Sequence, residues 1–197
     1  MTRLILFISL FCLAAPSFAA GTTPPVLDLT VAAAGEDRVL AVRFNGLTQA
    51  GRVSILDKDG IALLQVTVPA GEPYGKLLNL QALPAGSYRL SIDTDLFTTI
   101  QPFRIVGTFI DVTSSDRFTT YKPHLRYADN TINLTYFGNG GKCRVSLADA
   151  GGTTLLEDKQ DGRTVVEQRY DLTSLPRGTY FVTIITDHDM VSHQVVR

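Results

Sequence analysis

The sequence has no tryptophan, and only two cysteines, two methionines and three histidines in 197 residues. Without tryptophan, a carbohydrate site would have to build its aromatic platform from tyrosine. The cysteines are Cys12 and Cys143, and Cys12 lies in an N-terminal apolar run. If that run is removed, one thiol remains and no disulfide framework can form. Charge is balanced as well, with 18 basic and 19 acidic residues and a net charge of −1. A basic footprint for nucleic acid or an anionic membrane is therefore missing. Beyond residue 20 no apolar run is long enough to cross ~30 Å of hydrocarbon as a helix.

The N-terminus reads as an address. Arg3 precedes an apolar run from Leu4 to Ala15, then Pro16 and Ser17-Phe18-Ala19, with small residues where a signal peptidase reads. The run is too short to span a bilayer. Phe11 precedes Cys12, where lipid attachment needs a small residue, which argues against a lipoprotein. Cleavage after Ala19 is expected, taking away Arg3 and no carboxylate and leaving an exported chain of about 178 residues with a net charge near −2. That is enough for one core or two small ones.

Sliding the chain by 92 residues aligns it with itself. Arg52-Val53-Ser54-Ile55 meets Arg144-Val145-Ser146-Leu147, and Asp57 and Gly60 meet Asp149 and Gly152. Leu80, Leu83-Pro84, Gly86 and Tyr88 meet Leu172, Leu175-Pro176, Gly178 and Tyr180. About a third of residues 52–95 are identical at this spacing. A period of this kind marks a duplicated unit.

Each copy alternates apolar and polar residues, as in Leu40, Val42, Phe44 and in Tyr88, Leu90, Ile92. A period of two gives each strand one buried face. Turn residues separate the runs, and seven strands are expected in copy one, near 26–31, 38–45, 52–57, 61–68, 76–80, 86–93 and 97–105. The reading is all-β: two tandem seven-stranded antiparallel immunoglobulin-like β-sandwiches, at 20–106 and 107–197 after a signal peptide at 1–19. In Leu-Pro-x-Gly-x-Tyr, proline presets one turn position and glycine is expected to supply a positive φ. The tyrosine would then close a corner through its hydroxyl.

The Val-x-Leu-x-Asp-x-x-Gly pattern, Asp171-Leu172, Leu175-Pro176-x-Gly178-x-Tyr180-Phe181-Val182 and the ending Val195-Val196-Arg197 resemble the C-terminal sorting domain of type IX secretion. They also resemble small exported Ig-like domains from the same kinds of Gram-negative bacteria. The likeness covers residues 130–197 and, more loosely, copy one. It implies a targeting function for residues 107–197, beside the reading of the whole chain as an exported, non-catalytic interaction or structural module at the periplasm or cell surface.

No catalytic residue is identified. His124, His188 and His193 have no histidine counterparts in copy one, and no Gly-x-Ser-x-Gly or His-Glu-x-x-His occurs. No glycine-rich phosphate loop opens a helix. Cys143 shares a strand face with Val145 and Leu147 and is expected to be an inert core thiol. The Asp57/Asp59 and Asp93/Asp95 pairs fall at opposite ends of a sandwich, so they cannot form one calcium cage; Asp187 and Asp189 share an end with Glu157, Asp158 and Asp161 and could come closer, but solvated turns are expected. No cofactor or metal is expected. The candidate interaction surface is Phe118, Tyr121, Lys122, His124, Arg126 and Tyr127, a basic-aromatic stretch without counterpart in copy one, for an unidentified protein or cell-surface partner. The alternative is a linker and first strand packed between the copies. The seven-strand parity further predicts that copy one passes the chain on from the end carrying Asp57–Gly60 and Pro84–Gly86. Copy two would receive it at the end carrying Gly138–Lys142. On processing, N-terminal sequencing of the exported protein should begin at Ala20; a start at Met1 would remove the signal assignment.

Overall fold

The computed structural model describes Pro24, residues 27–35 and residues 37–197. The expected signal peptide and its cleavage point lie outside the described residues. The first set of strands is β1 (Leu29–Ala33), β2 (Val39–Phe44), β3 (Gly51–Leu56), β4 (Ala62–Val68), β5 (Tyr74–Asn79), β6 (Gly86–Asp93) and β7 (Phe97–Val106). Two short strands follow, β8 (Phe109–Asp111) and β9 (Phe118–Tyr121), around a 3₁₀ turn at Ser114–Asp116. The second set is β10 (His124–Ala128), β11 (Thr131–Phe137), β12 (Cys143–Asp149), β13 (Thr154–Lys159), β14 (Val165–Asp171), β15 (Thr179–Thr186) and β16 (Met190–Val196).

Both sets are wired alike. β1-β2-β5 form one sheet, and β4-β3-β6-β7 run in order within the other. β10-β11-β14 and β13-β12-β15-β16 repeat that order. All strand pairs are antiparallel, and in both sets the fourth strand pairs with the third rather than the fifth. The alternating residues close each sandwich. Leu40, Val42 and Phe44 from one sheet and Val53, Ile55, Leu90 and Ile92 from the other share a single buried cluster. Ile132, Leu134 and Tyr136 with Val145, Leu147, Val182 and Ile184 form a second. This is the immunoglobulin-like layer arrangement expected from the pattern.

Local chemistry is duplicated too. Asp57 Oδ1 accepts from the N–H groups of Asp59 and Ile61, both at 2.9 Å. Asp149 Oδ1 accepts from those of Gly151 and Thr153 at 2.9 and 2.8 Å. These are Asx turns, with Gly60 and Gly152 at φ of 85° and 81°. Both tyrosine corners are present. Tyr88 donates to the carbonyl of Pro84 at 2.8 Å, and Tyr180 to that of Pro176 at 2.6 Å. One expectation fails: neither Gly86 nor Gly178 has a positive φ. The turn closes upstream, where Leu83 N–H bonds Leu80 and Leu175 N–H bonds Leu172, so Gly86 already opens β6.

The copies depart from each other at the first hairpin. In the second, Asp129 and Asn130 at φ of 51° and 57° make a two-residue turn of the type that suits strand twist. In the first, five residues join β1 and β2.

The segment after β7 overturns the strand-parity argument. β8 pairs with the last residues of β7, and β9 with its first, Ile100 opposite Phe118 and Phe97 opposite Tyr121. The expected division between residues 106 and 107 therefore falls between two strands that pair. Because β9 carries the chain back along β7, it leaves at the end with Thr94–Leu96, not at the end with Asp57–Gly60. The chain enters the second sandwich where expected: His124 lies opposite Thr135, beside the loop that starts at Gly138. Like ends of the two sandwiches meet.

Tyr180→Phe should cost ~1 kcal/mol, one net hydrogen bond. Tyr180→Ala should cost ~3–5 kcal/mol through the cavity it leaves. Denaturant melts check both, and neutral values would mean the corner contributes nothing.

Candidate functional site

A buried side chain of β7 helps to hold the extra traverse by β8 and β9. Gln101 of β7 is 0% exposed. Its Nε2 donates to the carbonyl of Thr113 at 2.9 Å, and its Oε1 accepts from Arg117 Nε at 3.1 Å. Arg117 also donates to the carbonyl of Leu29 at 2.7 Å, tying the segment to β1. Pro102, next in sequence, sits in the gap between β8 and β9, where a missing N–H costs no ladder bond. At the far end Arg38 clamps the β7–β8 hairpin, donating to the carbonyls of Gly107 and Leu83, both at 2.7 Å.

Of the six candidate surface residues, two build the join. Tyr121 packs against both cores, its ring 6.5 Å from Phe97 and 5.4 Å from Phe137. Burial pushes its hydroxyl above the usual tyrosine range. Lys122 donates from its backbone to Leu96 at 2.8 Å. Its ammonium reaches Asp93 at 2.7 Å and the carbonyl of Thr94 at 2.8 Å. Burial pushes the Asp93 carboxyl up. Hydrogen bonds from Lys122 and Thr98, with the charges of Lys122 and Arg52, outweigh that and hold it below the usual carboxylate range.

The other four point elsewhere. Tyr127 packs on the second core, its hydroxyl 3.1 Å from the carbonyl of Val196. His124 and Arg126 are exposed along β10, and Phe118 is 54% exposed on β9. The stretch thus divides between a molecular joint and exposed positions on β9 and β10. Sequence reasoning missed Gln101 and Asp93 as the groups that set this joint. Only their polarity amid apolar strand positions hinted at them.

Carboxylates at the joining end of the second sandwich cap backbone. Asp187 Oδ2 accepts from Lys142 N–H at 2.8 Å, and Asp161 Oδ1 from Cys143 N–H at 3.0 Å. A Cβ at Gly141 would lie 2.2 Å from Asp187 Oδ2, so a larger residue there would displace this carboxylate cap. Among the described residues no group of three or more His, Cys, Asp or Glu is arranged to hold a metal ion. Cys143 is buried, and burial, aided by Asp158 and Asp161, pushes its thiol up to about 11. A thiol held that high is a poor nucleophile at neutral pH. The histidines lie apart, at the start of β10, in the β15–β16 turn and within β16. A groove of about 420 Å³ on the first sandwich is lined by Arg89, Arg104, Asp111 and Asp116 among others.

Residues 128–197 match the secretion system C-terminal sorting domain family. The match spans β11 to β16, and it agrees with the resemblance carried by Leu175-Pro176-x-Gly178-x-Tyr180. Similar solved structures include the two fibronectin type-III domain segment from chicken tenascin, at 14% identity over 86% of this chain and 98% of that one, TM-score 0.31. The chicken CNTN1 FN1-FN3 domains share 9% identity over 89% of this chain and 68% of theirs, TM-score 0.28. The BSP domain of a biofilm associated protein shares 14% identity over 85% of this chain, TM-score 0.28, and this chain spans 29% of that one. No curated protein matches the chain.

The Asp93–Lys122 pair makes a signed prediction. A depressed folded pKa adds stability above the unfolded value of ~3.9, lost as pH falls through the folded value. Lys122→Met should therefore cost ~0.5–1 kcal/mol near neutral pH for this half-exposed pair. The difference should shrink below about pH 4 to the part owed to the Thr94 bond. Melts across pH check it, and a flat difference would mean the ion pair adds nothing.

Proposed function

We propose that the chain is an exported, non-catalytic module whose second sandwich, from Lys122 onward, is its sorting domain for type IX secretion, and whose first sandwich is the part delivered to the cell surface or beyond. The family match over residues 128–197 carries this reading. The signal-like N-terminus fits the first membrane crossing that such export requires. We place the boundary at Tyr121 and Lys122 because β8 and β9 pair with β7. The delivered sandwich acts by binding rather than turnover. Many of its polar side chains serve turns, the joint and the covering segment, and the Cys143 thiol of the second sandwich is buried and held protonated.

The test is secretion in a bacterium with a type IX system. A reporter carrying its own signal peptide, fused ahead of residues 122–197, should leave the periplasm. The chain cut after Tyr121 should be retained there. A fused reporter that stays periplasmic while folding normally would overturn the sorting role.

A further inference from the structure

The two sandwiches guard the outer edge of their fourth strand differently. β4 pairs with β3 and β13 with β12, and among the described residues no strand lies on the other side of either. Such an edge is usually blunted by charge, proline or a bulge. Both strands have the same register shift, between Ile55 and Leu56 in one ladder and between Leu147 and Ala148 in the other. β13 adds Glu157, Asp158 and Lys159. At the matching positions β4 has Gln65, Val66 and Thr67, and residues 60–71 contain no charged side chain. Ile61 is 61% exposed, Leu63 45% and Val66 39%, and Val66 lies outside the core cluster.

The backbone decides which residues can pair outward. Gln160 N–H bonds the Cys143 carbonyl at 2.8 Å, so Val145 and Asp158 are the next bonded pair between β12 and β13. β3 and β4 share that register, with Val53 and Val66 as the matching pair. Gln65 and Thr67, on either side of Val66, therefore aim their N–H and C=O groups away from β3. The usable stretch is short. The register shift precedes Leu64, and Pro69 has no N–H to offer after Val68. Between them, Leu64–Val68 runs in unbroken register with β3.

Turned antiparallel, this stretch fits itself. An axis through Val66 sets Leu64 opposite Val68 of a second copy, Gln65 opposite its Thr67, and Val66 opposite its own counterpart. Aliphatic meets aliphatic and amide meets hydroxyl, and Gln65 and Thr67 are the residues whose backbone groups face outward to exchange bonds. The same axis on β13 would set Asp158 against Asp158, and like charges directly opposite are destabilising. The sister strand thus carries a charge on the very position that self-pairing requires to be neutral.

We infer that the chain self-associates through β4 of its first sandwich, with two copies related by a two-fold axis at Val66 and their sheets joined into one. A stretch this short buries less than the roughly 1,200 Å² of a stable complex, so monomer and dimer exchange with concentration. The inference does not rest on the sorting role, because both paired strands belong to first sandwiches.

Sedimentation equilibrium of the exported chain is the test. The mean mass should rise with concentration from monomer toward dimer. Val66→Lys and Val66→Glu each place like charges on the axis and should give monomer alone, with the unfolding midpoint kept. An equimolar mixture of the two should recover the dimer, which a merely structural role for Val66 would not produce. Thr67→Pro removes an outward N–H from each copy and no bond to β3, and it should weaken association by about tenfold. A chain that stays monomeric to about 1 mM, a dimer indifferent to Val66→Lys, or a mixture that stays monomeric would each overturn the proposal.

Discussion

The outer edge of a last strand presents a row of backbone donors and acceptors, and the way each sandwich treats that row governs the rest of the molecule. In the first, the chain doubles back after β7 and spends β8 and β9 on the edge. Satisfying those groups reverses the direction of travel, so the chain exits beside Thr94–Leu96. That reversal brings both Phe97 and Phe137 against Tyr121 and puts Lys122 within reach of Asp93. In the second sandwich no strand of the described residues pairs with that edge.

Polar side chains in both halves serve backbone before anything else. Asp57 and Asp149 close matching turns, Tyr88 and Tyr180 matching corners, and Asp161 and Asp187 cap the loop before β12. Gln101 is a buried amide satisfied on both of its ends, and His193 is its counterpart left without a partner on Nε2.

Residues 128–197 match a sorting-domain family, and both copies share strand order. The copies differ physically in the tighter Asp129-Asn130 hairpin of the second and in His193 standing where the first has Gln101.

The duplication, the antiparallel strands, the Asx turns and the tyrosine corners were all legible in the residues. Each depends on side-chain alternation or on a turn spanning a few positions, and both are local. The six-residue basic-aromatic stretch was legible as distinctive, but not as a joint. Whether Tyr121 and Lys122 meet solvent or the ends of two sandwiches depends on groups 24 residues away or more in Phe97 and Asp93. The exit end could not be read by counting strands, because pairing of β8 and β9 onto β7 is a contact between segments whose own sequences do not name their partner. Local order came from the alternation of side chains. The direction in which the copies join was decided by tertiary pairing, because unsatisfied backbone groups take whichever strand the folded chain brings beside them.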